Sequence, residues 1–264
     1  MANFALSHDR GSVALALLSN LREAGRELGP SNDTSAALNL AAYLADRIET
    51  DQARSGGGIP EVSGNSPRPS ATNIHWADSS AYLTGKYLLE AAQLLPTLER
   101  TKPSLSAERL TAMARRLLDC AAAASLHGPA RALPSQSLPA APHYPAKQRA
   151  WEPQLAYHTL STASILRLCG LMSEHITDRH RAMADGMADW LASLTPDAEG
   201  DYATFYSMHD GRTPVFGSAD GRDVFDEADA LQSSYRWRAR QGVVGALRKW
   251  SKSRSLRGGP AGAP

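Results

Sequence analysis

Apolar residues recur at three- and four-residue steps along nearly the whole chain, and this helical period constrains the fold more than any other feature. Val13, Leu15, Leu17, Leu18 and Leu21 mark a first helix, which Gly29-Pro30 stops. Ser31 to Thr34 supply capping residues for a second, with Leu38, Leu40, Tyr43, Leu44 and Ile48 on its stripe. Asp78 or Ser79 caps a third, carrying Leu83, Tyr87, Leu88, Ala91 and Leu95. Ser106, followed by Glu108, opens a fourth through Leu110, Met113, Leu117 and Leu118. A fifth follows Trp151-Glu152-Pro153 and holds Leu155, Leu160, Ile165, Leu168 and Leu171, with Tyr157 and His158 one turn inside it. A sixth spans about 177–194 and a last one about 226–250.

Pairs of these helices alternate with long polar connections at 56–74, 128–150 and 196–222. Connections of this length are uncommon in compact domains and tend to carry a site. The rhythm predicts an all-α protein: helical hairpins in a ring, an (α/α) toroid or partial barrel with the long loops on one rim. Strand patterning is sparse, confined to Thr204-Phe205-Tyr206 and Pro214-Val215-Phe216 as a short ribbon. Residues 1–250 read as a single toroid domain and 251–264, rich in Gly, Pro and basic residues, as a disordered tail.

At 264 residues and 42% hydrophobic content the chain can bury one large core. Lys and Arg total 28 against 27 Asp and Glu, so the basic excess typical of nucleic-acid binders is missing. No apolar run approaches the roughly 20 residues a membrane-spanning helix needs. Neither a nucleic-acid nor a membrane partner is therefore expected. Asp9, Arg10, Asn20, Arg22 and Glu23 interrupt the first apolar pattern, unlike a signal peptide. On this reading the chain is intracellular, or a piece from which a leader or another domain was removed. Cys120 and Cys169 sit in apolar helical patterns and are expected as two buried thiols rather than a disulfide.

The loops carry a set of short motifs in order. Gly57-Gly58-Ile59-Pro60-Glu61 resembles the Gly-Gly-Trp-Pro-Gln turn of the toroidal pectate lyases, polysaccharide lyase family ten. His75-Trp76-Ala77-Asp78-Ser79 falls where that family has Asn-Asp-Asp opening a helix. Arg149-Ala150-Trp151-Glu152-Pro153 resembles its Arg-Ala-Tyr-Glu-Pro segment. Phe205-Tyr206, Arg212-Thr213-Pro214-Val215-Phe216 and Asp220-Gly221 resemble Phe-Tyr, Arg-Pro-Ile-Phe and Arg-Asp-Gly, and Tyr235-Arg236-Trp237 matches a closing Gly-Tyr-x-Trp. The resemblance implies a toroid with a groove across one face that cleaves an acidic polysaccharide by calcium-assisted β-elimination. The sequence also departs from the family: Ala77 and Ser79 flank Asp78, leaving one carboxylate there; Leu138 follows Gln136 where an acid is expected; Ala219 replaces an arginine; and Leu231 and Gln232 stand for paired arginines.

Eliminating across a uronic acid removes a proton α to a carboxylate. The site must neutralise that carboxylate, supply a base and protonate the leaving oxygen. Calcium commonly takes several carboxylates, and Asp78, with Glu61 nearby in sequence, is the candidate ligand. A metal-independent arrangement draws on more residues. His75, Tyr157 and His158 can handle protons, and Arg149 or Arg212 can clamp the carboxylate bidentately. Glu61, Trp76, Gln136, Arg149, Trp151, Glu152, Arg212, Tyr235 and Trp237 are expected as substrate contacts, with His75, Asp78, Tyr157 and His158 as the catalytic group.

Other chemistries find little footing. No Cys or second His pair completes a zinc site around His75 and Asp78, and neither a Walker loop nor Gly-x-Ser-x-Gly occurs. Trp76, Trp151, Tyr157, Tyr202, Tyr206, Tyr235 and Trp237 gather in or beside the long loops. They are open to two readings, as stacking platforms for sugar rings or as a core plug. The leading expectation is a lyase acting on an acidic poly- or oligosaccharide. Two alternatives are a non-catalytic toroid that binds a saccharide or a protein, and an intracellular enzyme of different chemistry on the same scaffold.

Overall fold

The computed structural model describes residues 11–26, 32–60, 74–75, 80–125, 130–134, 136–137, 156–198, 200–203, 205–207, 209–214 and 229–255; side chains at 11–12, 32–33, 74–75, 80, 136–137, 156 and 229–240 lie outside that description. The helices are α1 (Gly11–Ala24), α2 (Asn32–Arg54), α3 (Ser80–Leu94), α4 (Ala107–Ala124), α5 (Thr159–Leu171), α6 (Asp178–Ser193) and α7 (Asp229–Ser255). Each overlaps a segment read as helical from the sequence, and the caps explain several boundaries. The Ser106 side chain accepts from the Arg109 N–H at the start of α4. Thr177 accepts from the His180 N–H, and His180 Nδ1 accepts in return from the Thr177 N–H, a reciprocal box at the start of α6. Gly56, at φ +64°, ends α2, with Gly57 N–H donating to the Gln52 carbonyl at 2.7 Å. α7 extends through Ser255, so the expected tail boundary at residue 251 falls inside a helix whose Ser253 is buried.

Consecutive helices form antiparallel hairpins, α1 with α2, α3 with α4, and α5 with α6. α1, α3, α5 and α7 also neighbour one another in turn, as do α2, α4 and α6. The result is an inner layer of odd-numbered helices wrapped by an outer layer of even-numbered ones, the arc of an (α/α) toroid. α5, buried on nearly every side, is the centre of the inner layer. The core between the layers is built from Leu17, Leu18, Leu21, Leu88, Leu110, Met113, Leu117, Leu118, Ile165, Leu166, Leu168, Met187 and Leu191, all essentially inaccessible. Cys120 and Cys169 are both free and buried in it, as expected. Among the described residues no helix is long and apolar enough to cross a membrane.

This hairpin order puts the short connections (α1–α2, α3–α4, α5–α6) at one end of the layers and the long ones (α2–α3, α4–α5, α6–α7) at the other. Four short strands link the long connections: β1 (Ile74–His75), β2 (Gln136–Ser137), β3 (Ala156–His158) and β4 (Phe205–Ser207). β1 pairs antiparallel with β2, and β3 pairs antiparallel with β4. The α4–α5 connection is therefore hydrogen-bonded to the α2–α3 connection near its start and to the α6–α7 connection at its end. Three loops distant in sequence share one rim.

Candidate functional site

Backbone pairing defines the rim. His75 stands opposite Gln136, and Ile74 opposite Ser137. Tyr157 stands opposite Tyr206 and His158 opposite Phe205, with Tyr206 also bridged to Pro214. Two expected contacts, His75 and Gln136, are thus brought to adjacent positions by register, although they are far apart in sequence.

Tyr157 and His158 were expected inside α5; they stand in β3 instead. The reason is local. His158 Nδ1 accepts from the Ser161 N–H at 3.1 Å and lies 2.8 Å from Ser161 Oγ, so the ring is the N-cap of α5 and the helix begins only at Thr159. With Nδ1 acting as acceptor, the neutral ring carries its proton on Nε2. The His158 N–H donates to the Leu133 carbonyl at 2.7 Å, and the Leu133 N–H donates to Thr162 Oγ1 at 3.0 Å, which fastens the α4–α5 connection to the first turn of α5. The His158 ring lies against Phe205, centroids 4.9 Å apart.

Tyr157 is fully enclosed. Its ring meets Trp190 of α6 edge-on at 5.9 Å, and Trp190 meets Tyr206 edge-on at 5.8 Å. Burial pushes the Tyr157 phenol up, partly offset by a backbone hydrogen bond with Ala130, and burial likewise raises Tyr206. Trp190 Nε1 donates to the Gly211 carbonyl at 2.8 Å. Gly211 has φ +69°, and a side chain there would stand 3.1 Å from Ala130 Cβ. Of the two readings of the aromatics, the core plug holds for Tyr157 and Tyr206, while Tyr202 is half-buried. Phe205 joins them from a motif the sequence offered, while Trp190 and Gly211 are positioning residues that sequence inspection passes over, since they belong to an ordinary-looking helix and turn.

Arg212 is exposed in the turn that follows β4. Its backbone N–H donates to Asp210 Oδ1 at 2.9 Å, and Thr213 donates to the same carboxylate through both N–H and hydroxyl. These three donors hold the Asp210 carboxyl down to about 2. The turn thus holds the Arg212 backbone at the open edge of the β3–β4 ribbon. Glu61, Trp76, Asp78, Arg149, Trp151 and Glu152 lie outside the described residues, and for His75, Gln136, Tyr235 and Trp237 the backbone alone is described. The calcium candidate Asp78 is among those outside; within the described residues no group of three His, Cys, Asp or Glu side chains could hold a metal.

A cleft of about 480 Å³ opens between α2 and α4, lined by Glu49, Gln52, Ala53, Gly56, Gly57, Arg116 and Asp119. Its charges are largely satisfied by neighbours. Arg109 and Arg116 both donate to Glu49, at 2.6 and 2.7 Å, and hold its carboxyl below the usual range. Asp119 lies 2.8 Å from His180 Nε2. The cleft is the ion-paired seam of the outer layer.

No family model and no curated protein matches the sequence. Among solved structures, a mutant of a family 10 polysaccharide lyase from Cellvibrio cellulosa, in complex with trigalacturonic acid, is similar with a TM-score of 0.60 and 14% identity, over 90% of this chain and 79% of that one. Cellobiose 2-epimerase from Spirochaeta thermophila is similar with a TM-score of 0.50 and 14% identity over 89% of this chain; the chain spans 52% of the epimerase. At such identity the likeness shows the fold alone, an (α/α) toroid in both cases.

Proposed function

We propose that this chain is a carbohydrate-active toroid that binds an acidic oligosaccharide at the rim of long connections and cleaves it by β-elimination. The observation that carries the reading is the pair of ribbons, β1–β2 and β3–β4, which hydrogen-bond the α4–α5 connection to both of the other long connections. A toroidal neighbour solved with trigalacturonic acid supports the substrate class.

In this reading Arg149 and Arg212 neutralise the uronate carboxylate, which lowers the cost of forming negative charge on the adjacent carbon. His75, at the β1–β2 ribbon, takes the C5 proton as a C4–C5 double bond forms and the C4–O bond breaks, the imidazolium then giving that proton to the leaving oxygen, and Asp78 orients the imidazole or the substrate. Trp76, Trp151, Tyr235 and Trp237 offer ring faces, while Glu61, Gln136 and Glu152 bind hydroxyls. Tyr157 and His158 form the floor beneath the site: an enclosed phenol pushed upward by burial and a ring engaged in capping suit support better than proton transfer.

Elimination leaves an unsaturated uronate that absorbs in the near ultraviolet. Incubation with polygalacturonate, alginate and glucuronan, with and without calcium, is expected to raise absorbance on one of them. Asp78→Ala, His75→Ala and Arg149→Ala are expected to abolish the rise. Binding without any rise would instead favour a non-catalytic saccharide-binding toroid, the second reading, which the single remaining carboxylate at Asp78 supports.

A further inference from the structure

Several described cations on this molecule have acidic partners: Arg22 with Glu90, Arg26 with Glu23, Arg54 with Asp51, Arg109 and Arg116 with Glu49, Arg254 with Asp185. On the inner layer, cations gather instead around one exposed stripe. Every residue of α5 is buried except Arg167, Gly170 and Leu171, so solvent reaches the central helix along this one stripe. Cations occupy it from three helices. The Arg167 guanidinium lies 4.1 Å over the Tyr82 ring of α3, a cation–π contact that uses its face and none of its N–H donors. Lys249 of α7 passes directly over Gly170, where a side chain would come within 2.9 Å of Lys249 Cγ. Lys86, one turn along α3 from Tyr82, and Lys252, one turn along α7 from Lys249, complete the group.

Among the described residues no carboxylate pairs with Arg167, Lys249 or Lys252. Lys86 has Glu90 at 3.5 Å, and Glu90 is shared with Arg22. A protein whose cations and anions nearly balance has thus gathered four cations against one shared acid. The crowding is felt: Lys249 is lowered from the ordinary lysine value, first by burial and then by Arg167, Lys86 and Lys252. Like charges held together in a half-buried stripe cost stability unless an anion neutralises them.

We propose that Lys86, Arg167, Lys249 and Lys252 form an oxyanion-binding site on the inner helices, taking a ligand that carries carboxylate or phosphate groups. It lies away from the loop-bearing rim: Arg167 is about 12 Å along α5 from its first residue, toward the short connections. The site stands independently of the rim chemistry proposed above. The carboxylates of an acidic saccharide and a free phosphate present the same chemistry to these donors, and the test separates the two.

The test is titration calorimetry on the full chain at low salt with trigalacturonate, inorganic phosphate and a neutral trisaccharide. It is done in the Arg149→Ala, Arg212→Ala background so that the rim carboxylate contacts do not contribute. Trigalacturonate or phosphate is expected to bind and the neutral sugar not. Arg167→Gln, Lys249→Gln and the exposed Lys252→Gln should each weaken binding about tenfold, the scale of a lost charge-assisted contact, with Lys102→Gln as an unaffected control. Binding should also weaken steeply with salt. Tighter binding of trigalacturonate assigns the site to a saccharide, and binding of phosphate alone assigns it to a phosphate ligand. No binding of either anion, or binding indifferent to Lys252→Gln and Lys249→Gln in variants that retain the wild-type circular dichroism spectrum, overturns the proposal. The rim reading is judged separately, by the ultraviolet assay on the chain with Arg149 and Arg212 intact.

Discussion

Trp190→Phe probes how firmly the rim is tied to the helical layers. Trp190, 6% exposed, touches Tyr157, Tyr206 and Gly211 together, so it joins α6 to two of the three long connections. Phenylalanine keeps an aromatic ring in the gap but loses the indole N–H. The Gly211 carbonyl then loses its 2.8 Å donor, which costs about 1–3 kcal/mol for a buried acceptor left unpartnered. The void left by the missing part of the indole adds about 1 kcal/mol. The sum, about 2–4 kcal/mol, corresponds to a fall in Tm of about 4–8 °C for a chain of this size. Thermal and urea unfolding followed by circular dichroism measures it, and hydrogen exchange should show faster opening of residues 205–214 than of α6 itself. A change below about 0.5 kcal/mol, or uniform loosening of the whole molecule, would refute the assignment of Trp190 as the tie between layer and rim.

Three further outcomes follow from the packing and the electrostatics. At Gly85 an added methyl would stand 2.4 Å from Leu168 Cδ1, in the buried contact of α3 with α5. Gly85→Ala should therefore lose about 1–3 kcal/mol to overpacking despite a helix-propensity gain of about 1 kcal/mol, whereas Gly245→Ala, with nothing within 4 Å, should gain up to about 1 kcal/mol; chemical denaturation reads both. The Asp210 carboxyl is held at about 2, below its ordinary 3.8, so its hold on the 210–213 turn is complete above the usual carboxylate range and is lost as pH falls through about 2; a side-chain carboxyl NMR titration should place the midpoint there. Burial raises Cys120 to about 12 and Cys169 further still, so neither thiol should react with Ellman's reagent at pH 8 until the protein unfolds.

The helices were legible because their signal is local. The stripes of α1 to α7, the Ser106 cap and the Thr177 start can all be read within a turn or two of chain. The start of α5 was misplaced for an equally physical reason. Leu155 continues the apolar period of α5 backward, and nothing in sequence shows that His158 caps the helix with its ring rather than riding inside it. The ribbons were harder still. β1 and β2 are two residues each and far apart in the chain, too short for alternation to show, and only β4 fell within a segment read as strand. The same limit hid the cationic stripe: Lys86, Arg167 and Lys249 belong to three different helices and become neighbours only when the inner layer assembles. Loop motifs located the candidate residues by type and order, while register alone set His75 against Gln136.

Hydrogen exchange of the full chain with and without trigalacturonate tests most directly whether the three long connections act as one binding mouth. The account predicts that slowed exchange appears together in 56–79, 126–158 and 196–228, at one ligand concentration midpoint, and weakens together in Arg149→Ala. Protection confined to a single long connection, or absent from all three, would contradict it.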